Sequence, residues 1–250
     1  MPYNFAASTR IMVTSGNSSV TEVIDITDET KKCNNLGDFP VLVGWATGGL
    51  VDGKPIICGG QDDATHTYKQ ECYIFEDNAW ILLTSLNEPR SQAGSTVLNG
   101  DHLWITGGES PGTYIKTSEK IWANGTVLSG PELPSALNAH CMVNLHNGSV
   151  LILGAGAQTS NADRKEVWML NKETGTVNTF SDTILPRHHP GCTLFNSPKH
   201  DYRHGCFFTE TLLYVVSPYQ NTIFVRSPTK FSFKSCILGG LRFFKIQLFY

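Results

Sequence analysis

The chain has 250 residues, is 16% charged, and sets 19 Lys or Arg against 22 Asp or Glu, for a net charge of −3. That balance argues against a nucleic-acid partner, which needs a dense basic patch. No run approaches the roughly 18 apolar residues of a membrane span, and residues 1–16 lack the uninterrupted apolar stretch of a secretory leader. Low charge, 23 Gly and scattered short apolar runs point to an all-β protein rich in tight turns.

Four segments line up along the chain: IMVTSG (11–16), PIICGG (55–60), LWITGG (103–108) and LILGAG (151–156). Each is a short apolar run ending in Gly, the mark of a strand entering a tight turn. Gly59 to Gly107 spans 48 residues, and Gly107 to Gly154 spans 47. A Glu followed by an apolar run comes after each, at Glu22, Glu71, Glu119 and Glu166, and again at Glu210. Pro40, Pro89-Arg90, Pro134 and Pro186-Arg187 close the units. A period of 47 to 49 suits a four-stranded propeller blade. In the clearest unit, strands are expected over 92–98, 102–106, 117–123 and 126–130, with Asn99-Gly100 as a hairpin turn. Asp52-Gly53 and Asn147-Gly148 hold the same place in neighbouring units.

The unit resembles the kelch repeat. Gly59-Gly60, Tyr73 and Trp80, followed by Pro89-Arg90, carry that family's marks: a double Gly ending the second strand, a Tyr on the third and a Trp on the fourth. Gly107-Gly108 repeats the Gly pair, whereas Gly154-Ala155-Gly156 interrupts it, and Trp122 and Trp168 sit on third strands. The resemblance covers roughly residues 10–217. It implies a kelch-type β-propeller of about four to five recognisable four-stranded blades, over 10–40, 41–88, 90–134, 137–186 and 188–218. The first blade begins at its second strand and the last is also partial, so an incomplete ring is expected. Residues 219–250 are expected to form a divergent tail: five Lys or Arg, six Phe and no acid. Two readings of it compete, a closing strand over 244–250 and a segment not native to the ring, and the second is preferred.

The resemblance implies binding of a protein partner, with no cofactor and no catalysis; the alternative is an extracellular carbohydrate-acting or oxidase-like propeller enzyme. GxxxxGK[ST] does not occur in the chain. His188, His189, His200 and His204 with Asp201 form the one tempting metal cluster. Residues four apart on a strand lie about 13 Å apart, so no metal site is expected. Ala93, Ser95, Val97, Met142 and Cys192 are expected to face the propeller axis, and their small or apolar character disfavours catalysis.

Binding is expected on the loops joining second to third strands, 61–69, 109–116 and 157–163, which should share one face. Their candidates are Asp62, Asp63, His66, Tyr68, Glu109, Tyr114, Lys116 and Arg164. Trp45, Trp80, Trp104, Trp122 and Trp168 are read as packing between blades. The recurring Glu is read as structural, through a hydrogen bond between blades. Sequons place glycosylation candidates at Asn17, Asn124 and Asn147. Of seven Cys, Cys58 and Cys72 fall on adjacent strands and are disulfide candidates. Cys141 and Cys192 hold matching first-strand positions, and buried free thiols remain open for all four. Location stays open, with the sequons and Cys tilting it toward the outside of the cell.

Overall fold

The structure, a computed structural model, describes residues 10–15, 18–25, 34–62, 64–145, 149–154, 156, 164–172, 174–187, 191–196, 211–216, 237–238 and 241–242. Its strands form antiparallel sheets that follow chain order. The second blade comprises Thr47–Val51, Lys54–Cys58, Glu71–Glu76 and Ala79–Ser85. The third comprises Gly94–Leu98, His102–Thr106, Ser118–Trp122 and Val127–Ser129. The fourth comprises Cys141–Asn144, Ser149–Leu153, Arg164–Asn171 and Val177–Arg187. Before them stands a three-stranded sheet of Arg10–Val13, Glu22–Asp25 and Asn34–Asn35. After them, Gly191–Asn196 pairs with Thr211–Val216. Within 219–250 the description covers only a small hairpin, Ile237–Leu238 with Leu241–Arg242. The expected strand over 244–250 lies outside the described residues.

The second strand of the third blade explains why the core strands read as unbroken apolar runs. All five residues of His102–Thr106 are buried. Alternate side chains point to opposite faces, and a neighbouring blade covers each face. Trp104 joins Leu98, Met142, Ile152 and Trp168 toward the fourth blade. Leu103 and Ile105 join Val51, Ile56, Cys58 and Cys72 toward the second. The amino-terminal sheet and the linker after it pack likewise on the second blade: Val23 joins Phe75 and Trp80 in one cluster, Phe39 meets Tyr73 and Trp80 edge-on, and Trp80 Nε1 donates to Thr21 Oγ1 at 2.9 Å.

Tight turns hold the register. Asp52-Gly53 and Asn99-Gly100 have positive φ at both residues, as a two-residue hairpin turn matching strand twist requires. The Gly pair has a different purpose. Gly107 and Gly108 have φ of 56° and 103°, and a Cβ on Gly108 would fall 2.6 Å from the Ser91 carbonyl oxygen. Only glycine allows the second strand to end this close to the linker entering its own blade. The Gly60 and Gly108 amides then donate to the Arg90 and Leu137 carbonyls of the next linkers, at 2.8 and 2.7 Å.

First strands of successive blades lie side by side. Thr47 Oγ1 donates to Ser95 Oγ at 2.6 Å, Asn144 Nδ2 donates to the Val97 carbonyl at 3.1 Å, and a disulfide joins Cys141 to Cys192. Met142 does not line an axial channel as expected. It is buried in the core between the third and fourth blades, where Thr106 Oγ1 donates to its sulfur. Ala93 and Val97 likewise pack against the core between the second and third blades.

The recurring Glu also needs correction. The Gly59 amide donates to the Glu71 carbonyl, whereas the Gly107 amide donates to that of Thr117. With Cys58 opposite Cys72, Thr106 opposite Ser118 and Leu153 opposite Val167, Glu166 matches Glu71, but Glu119 sits two residues further on, opposite Tyr73 and Trp168 in the alignment of blades. Sequence spacing hides the shift because the third blade's connection is two residues shorter. Glu119 does bond between blades. Arg90 Nη2 donates to its Oε1 at 2.6 Å, and the Asn87 amide donates to its Oε2 at 2.7 Å.

His140 is buried where the third and fourth blades meet. Its Nε2 lies 2.7 Å from Thr106 Oγ1, and its ring fills the space a Cβ on Gly94 would need. Burial pushes its pKa down to about 4. An unfolded histidine titrates near pH 6.5, so between pH 6.5 and about 4 only the unfolded state takes up the proton. Stability is fully present above that window and falls as pH drops through it, by about 3 kcal/mol for this group. Urea midpoints measured from pH 7 to 4.5 are expected to fall more steeply for the wild type than for His140→Gln. Parallel curves for the two proteins contradict this.

Candidate interaction face

The residue two before each first strand is left-handed in three successive blades: Trp45 at φ 59°, Gln92 at 52° and Ala139 at 51°, spaced by 47 residues. None is glycine, so each carries a cost of about 1–2 kcal/mol. A main-chain ladder holds them, with the Gln92 amide donating to the Trp45 carbonyl at 3.0 Å and the Ala139 amide to the Gln92 carbonyl at 2.7 Å. Beside this ladder the linkers pair with the starts of the second-to-third-strand connections. Val43–Gly44 pairs with Gln61–Asp62, Ser91 with Glu109, and Asn138 with Gly156. The loops 61–69 and 109–116 therefore stand at the same end of the blades as Trp45 and Gln92.

Side chains tie the blades together across this end. Tyr68 Oη donates to Glu109 Oε1 at 2.8 Å, Gln92 Nε2 to Glu109 Oε2 at 3.4 Å, and Asn138 Nδ2 to Gln92 Oε1 at 3.2 Å. Burial, then the Glu109 carboxylate, pushes the Tyr68 phenol up to about 12, so it stays a proton donor. Ser91 Oγ and Asn138 Oδ1 are buried in the same band with no hydrogen-bond partner. Trp45, whose carbonyl accepts the Gln92 amide, is 53% exposed. It departs from the blade-packing role that Trp80, Trp104 and Trp168 fill in the core.

No protein-family model matches the chain. It is 34% identical over 101 residues to Kelch-like protein 23 of Pongo abelii, covering 39% of this chain and 17% of that protein. The Homo sapiens protein of the same name is 34% identical over 100 residues, covering 38% and 17%. The match thus spans about a sixth of these curated relatives' length. Among solved structures, that of YjhT superposes with a TM-score of 0.64 at 15% identity, covering 74% of this chain and 66% of that one.

The fold is that of a kelch-type propeller, and part of the chain is similar to Kelch-like protein 23. Its kelch marks have visible work: the Gly pair admits the linker, while Tyr73 and Trp80 clamp Phe39 of the linker that enters their blade. Of the loop candidates, the blades bring Tyr68, Glu109 and Tyr114 together, Tyr114 lying opposite Glu109 in a two-residue hairpin. Asp62 is turned inward. Its Oδ1 accepts the Ala64 and Thr65 amides, both at 3.0 Å, and Lys69 Nζ lies 3.6 Å from Oδ2. The Thr65 amide leads the effects that hold its carboxyl below the ordinary range. His66 is exposed at the loop tip with φ 55°. Lys116 is tied elsewhere, to Glu132 at 2.6 Å. Arg164 opens the fourth blade's third strand, paired with Arg187.

Asp63, residues 157–163, Asn17, Asn147, and the His188, His189, His200, His204 and Asp201 cluster lie outside the described residues. Among the described residues, no group of three or more His, Cys, Asp or Glu could hold a metal ion, and no helix is long and apolar enough to cross a membrane. A cleft of about 200 Å³ opens among Asn87, Glu88, Glu119 and Glu132, over the Arg90 ion pair and apart from the Trp45 face. Sequence reading missed Trp45, Gln92 and Asn138. The signal available was their position, just ahead of first strands at a spacing of 46 to 47.

Proposed function

We propose that the chain is a protein-binding module that takes its partner at the end of the blades bearing Trp45 and the loops 61–69 and 109–116. The observation that carries this reading is Trp45: a large amphipathic ring, more than half exposed, on backbone fixed by the ladder between blades. Side chains of this kind on rigid supports serve as interface anchors, because little entropy is lost when they are covered. The Tyr68–Glu109–Gln92–Asn138 network supplies a pre-ordered polar rim around it. Because Trp45 is exposed, Trp45→Ala is expected to leave thermal stability nearly unchanged. It should weaken the partner's binding by about 30-fold, the effect of a hot spot worth about 2 kcal/mol. The check is quantitative affinity capture from native extract with wild type, Trp45→Ala and, as a control at the opposite turn, Asn99→Ala. Equal capture by all three overturns the reading.

A further inference from the structure

We propose that Asn124 carries an N-linked glycan and that the chain matures in an oxidising secretory compartment. Asn124-Gly125-Thr126 forms the turn between the third and fourth strands of the third blade, at its outer edge. Asn124 is exposed, and its Oδ1 accepts the Thr126 amide at 3.0 Å. This turn folds the Thr126 segment back onto the Asn side chain, on an exposed residue that an incoming donor can reach. A sequon by itself is common. Two further observations converge on this one.

The first is redox chemistry. Cys58 and Cys72, on facing strands within the core of the second blade, are joined by a disulfide, and so are Cys141 and Cys192 of neighbouring blades. Structural disulfides of this kind form and persist where the surroundings are oxidising, the compartment in which sequons are used. The second is the surface beside the turn. The Gly125 backbone packs on the outer strand of the second blade, a Cβ there falling 3.3 Å from the Leu83 carbonyl oxygen. That strand and its counterpart expose Ile81 (48%), Leu82 (58%) and Leu128 (54%). An outermost strand with apolar side chains is a template for pairing with other chains, and a bulky hydrophilic glycan at Asn124 shields it.

In the transfer, Asn124 Nδ2 forms a bond to the anomeric carbon of an oligosaccharide held on a lipid diphosphate. The sugar–phosphate bond breaks, the lipid diphosphate leaves with the bonding pair, and the amide gives up one proton to base. No oxidation or reduction occurs. The test is peptide mass spectrometry of protein from its native source, treated with peptide N-glycosidase in heavy-oxygen water. The peptide containing Asn124 is expected to appear as aspartate bearing one heavy oxygen. Thr126→Val, which keeps the Thr126 amide and removes only the hydroxyl, should abolish the label at Asn124 when the chain is expressed in secretory cells, while Thr126→Ser keeps it. An unmodified Asn124 peptide from the native protein overturns the proposal, as does label that survives Thr126→Val.

Discussion

Arg90→Ala is expected to lower stability by about 3–5 kcal/mol, the cost of leaving one partner of a buried ion pair uncompensated. The Arg90 side chain is fully buried and Glu119 nearly so, at 0% and 3% exposure. One guanidinium nitrogen donates to the Gly107 carbonyl at 2.9 Å and the Thr117 carbonyl at 3.2 Å, the other to Glu119. A single side chain thus joins the linker after the second blade to both the Gly pair and the third strand of the next. Without it, Glu119 retains only the Asn87 donors and the distant Glu88 amide, the Gly107 carbonyl loses the guanidinium donor, and the Thr117 carbonyl keeps only the Gly107 amide. The midpoint of thermal unfolding should drop on the order of 10 °C. Arg90→Lys should recover little, because a point charge cannot reach carboxylate and carbonyls together. Calorimetry of the two variants checks both statements, and a shift below about 2 °C for Arg90→Ala would contradict the role given to this residue.

Removing the disulfides should be nearly as costly. Cys141 and Cys192 close a loop of 51 residues and tie the first strands of two blades, while Cys58 and Cys72 close one of 14. On the chain-entropy view these contribute about 4 and about 3 kcal/mol respectively, as upper values. Cys141→Ala with Cys192→Ala, and Cys58→Ala with Cys72→Ala, are therefore each expected to lower the urea-extrapolated stability by about 2–4 kcal/mol. Reductant should lower the wild type's midpoint but leave a chain lacking all four Cys unaffected. A wild-type midpoint that ignores reductant would show that neither bond contributes.

Much of the architecture was legible because a blade is a local object. Its strands are neighbours in sequence, so apolar runs, Asn-Gly and Asp-Gly turns and Gly pairs mark it at a fixed period. The strands expected at 92–98, 117–123 and 126–130 are observed, slightly shorter, at Gly94–Leu98, Ser118–Trp122 and Val127–Ser129. What the sequence hid lies between blades. The two-residue slip of Glu119 is invisible to landmark spacing, because only hydrogen-bond register shows that Thr117 faces Gly107. The choice of Trp45 over Trp104 as the exposed ring depends on a left-handed residue before the strand, and tryptophan carries no propensity that announces it. Met142 turned inward for a related reason: side-chain direction on a first strand is set by the blade that covers it, and a lone strand pattern does not name its cover.

Partners are proposed to meet the end of the blades that bears Trp45, Gln92 and Glu109. The most direct test is site-specific photocrosslinking, with a benzophenone amino acid at position 45 in one protein and at position 99, the exposed hairpin tip at the opposite end, in another. A discrete protein adduct is expected from position 45 in native extract and none from position 99. Adducts from position 99 alone, or the same adducts from both, would contradict it.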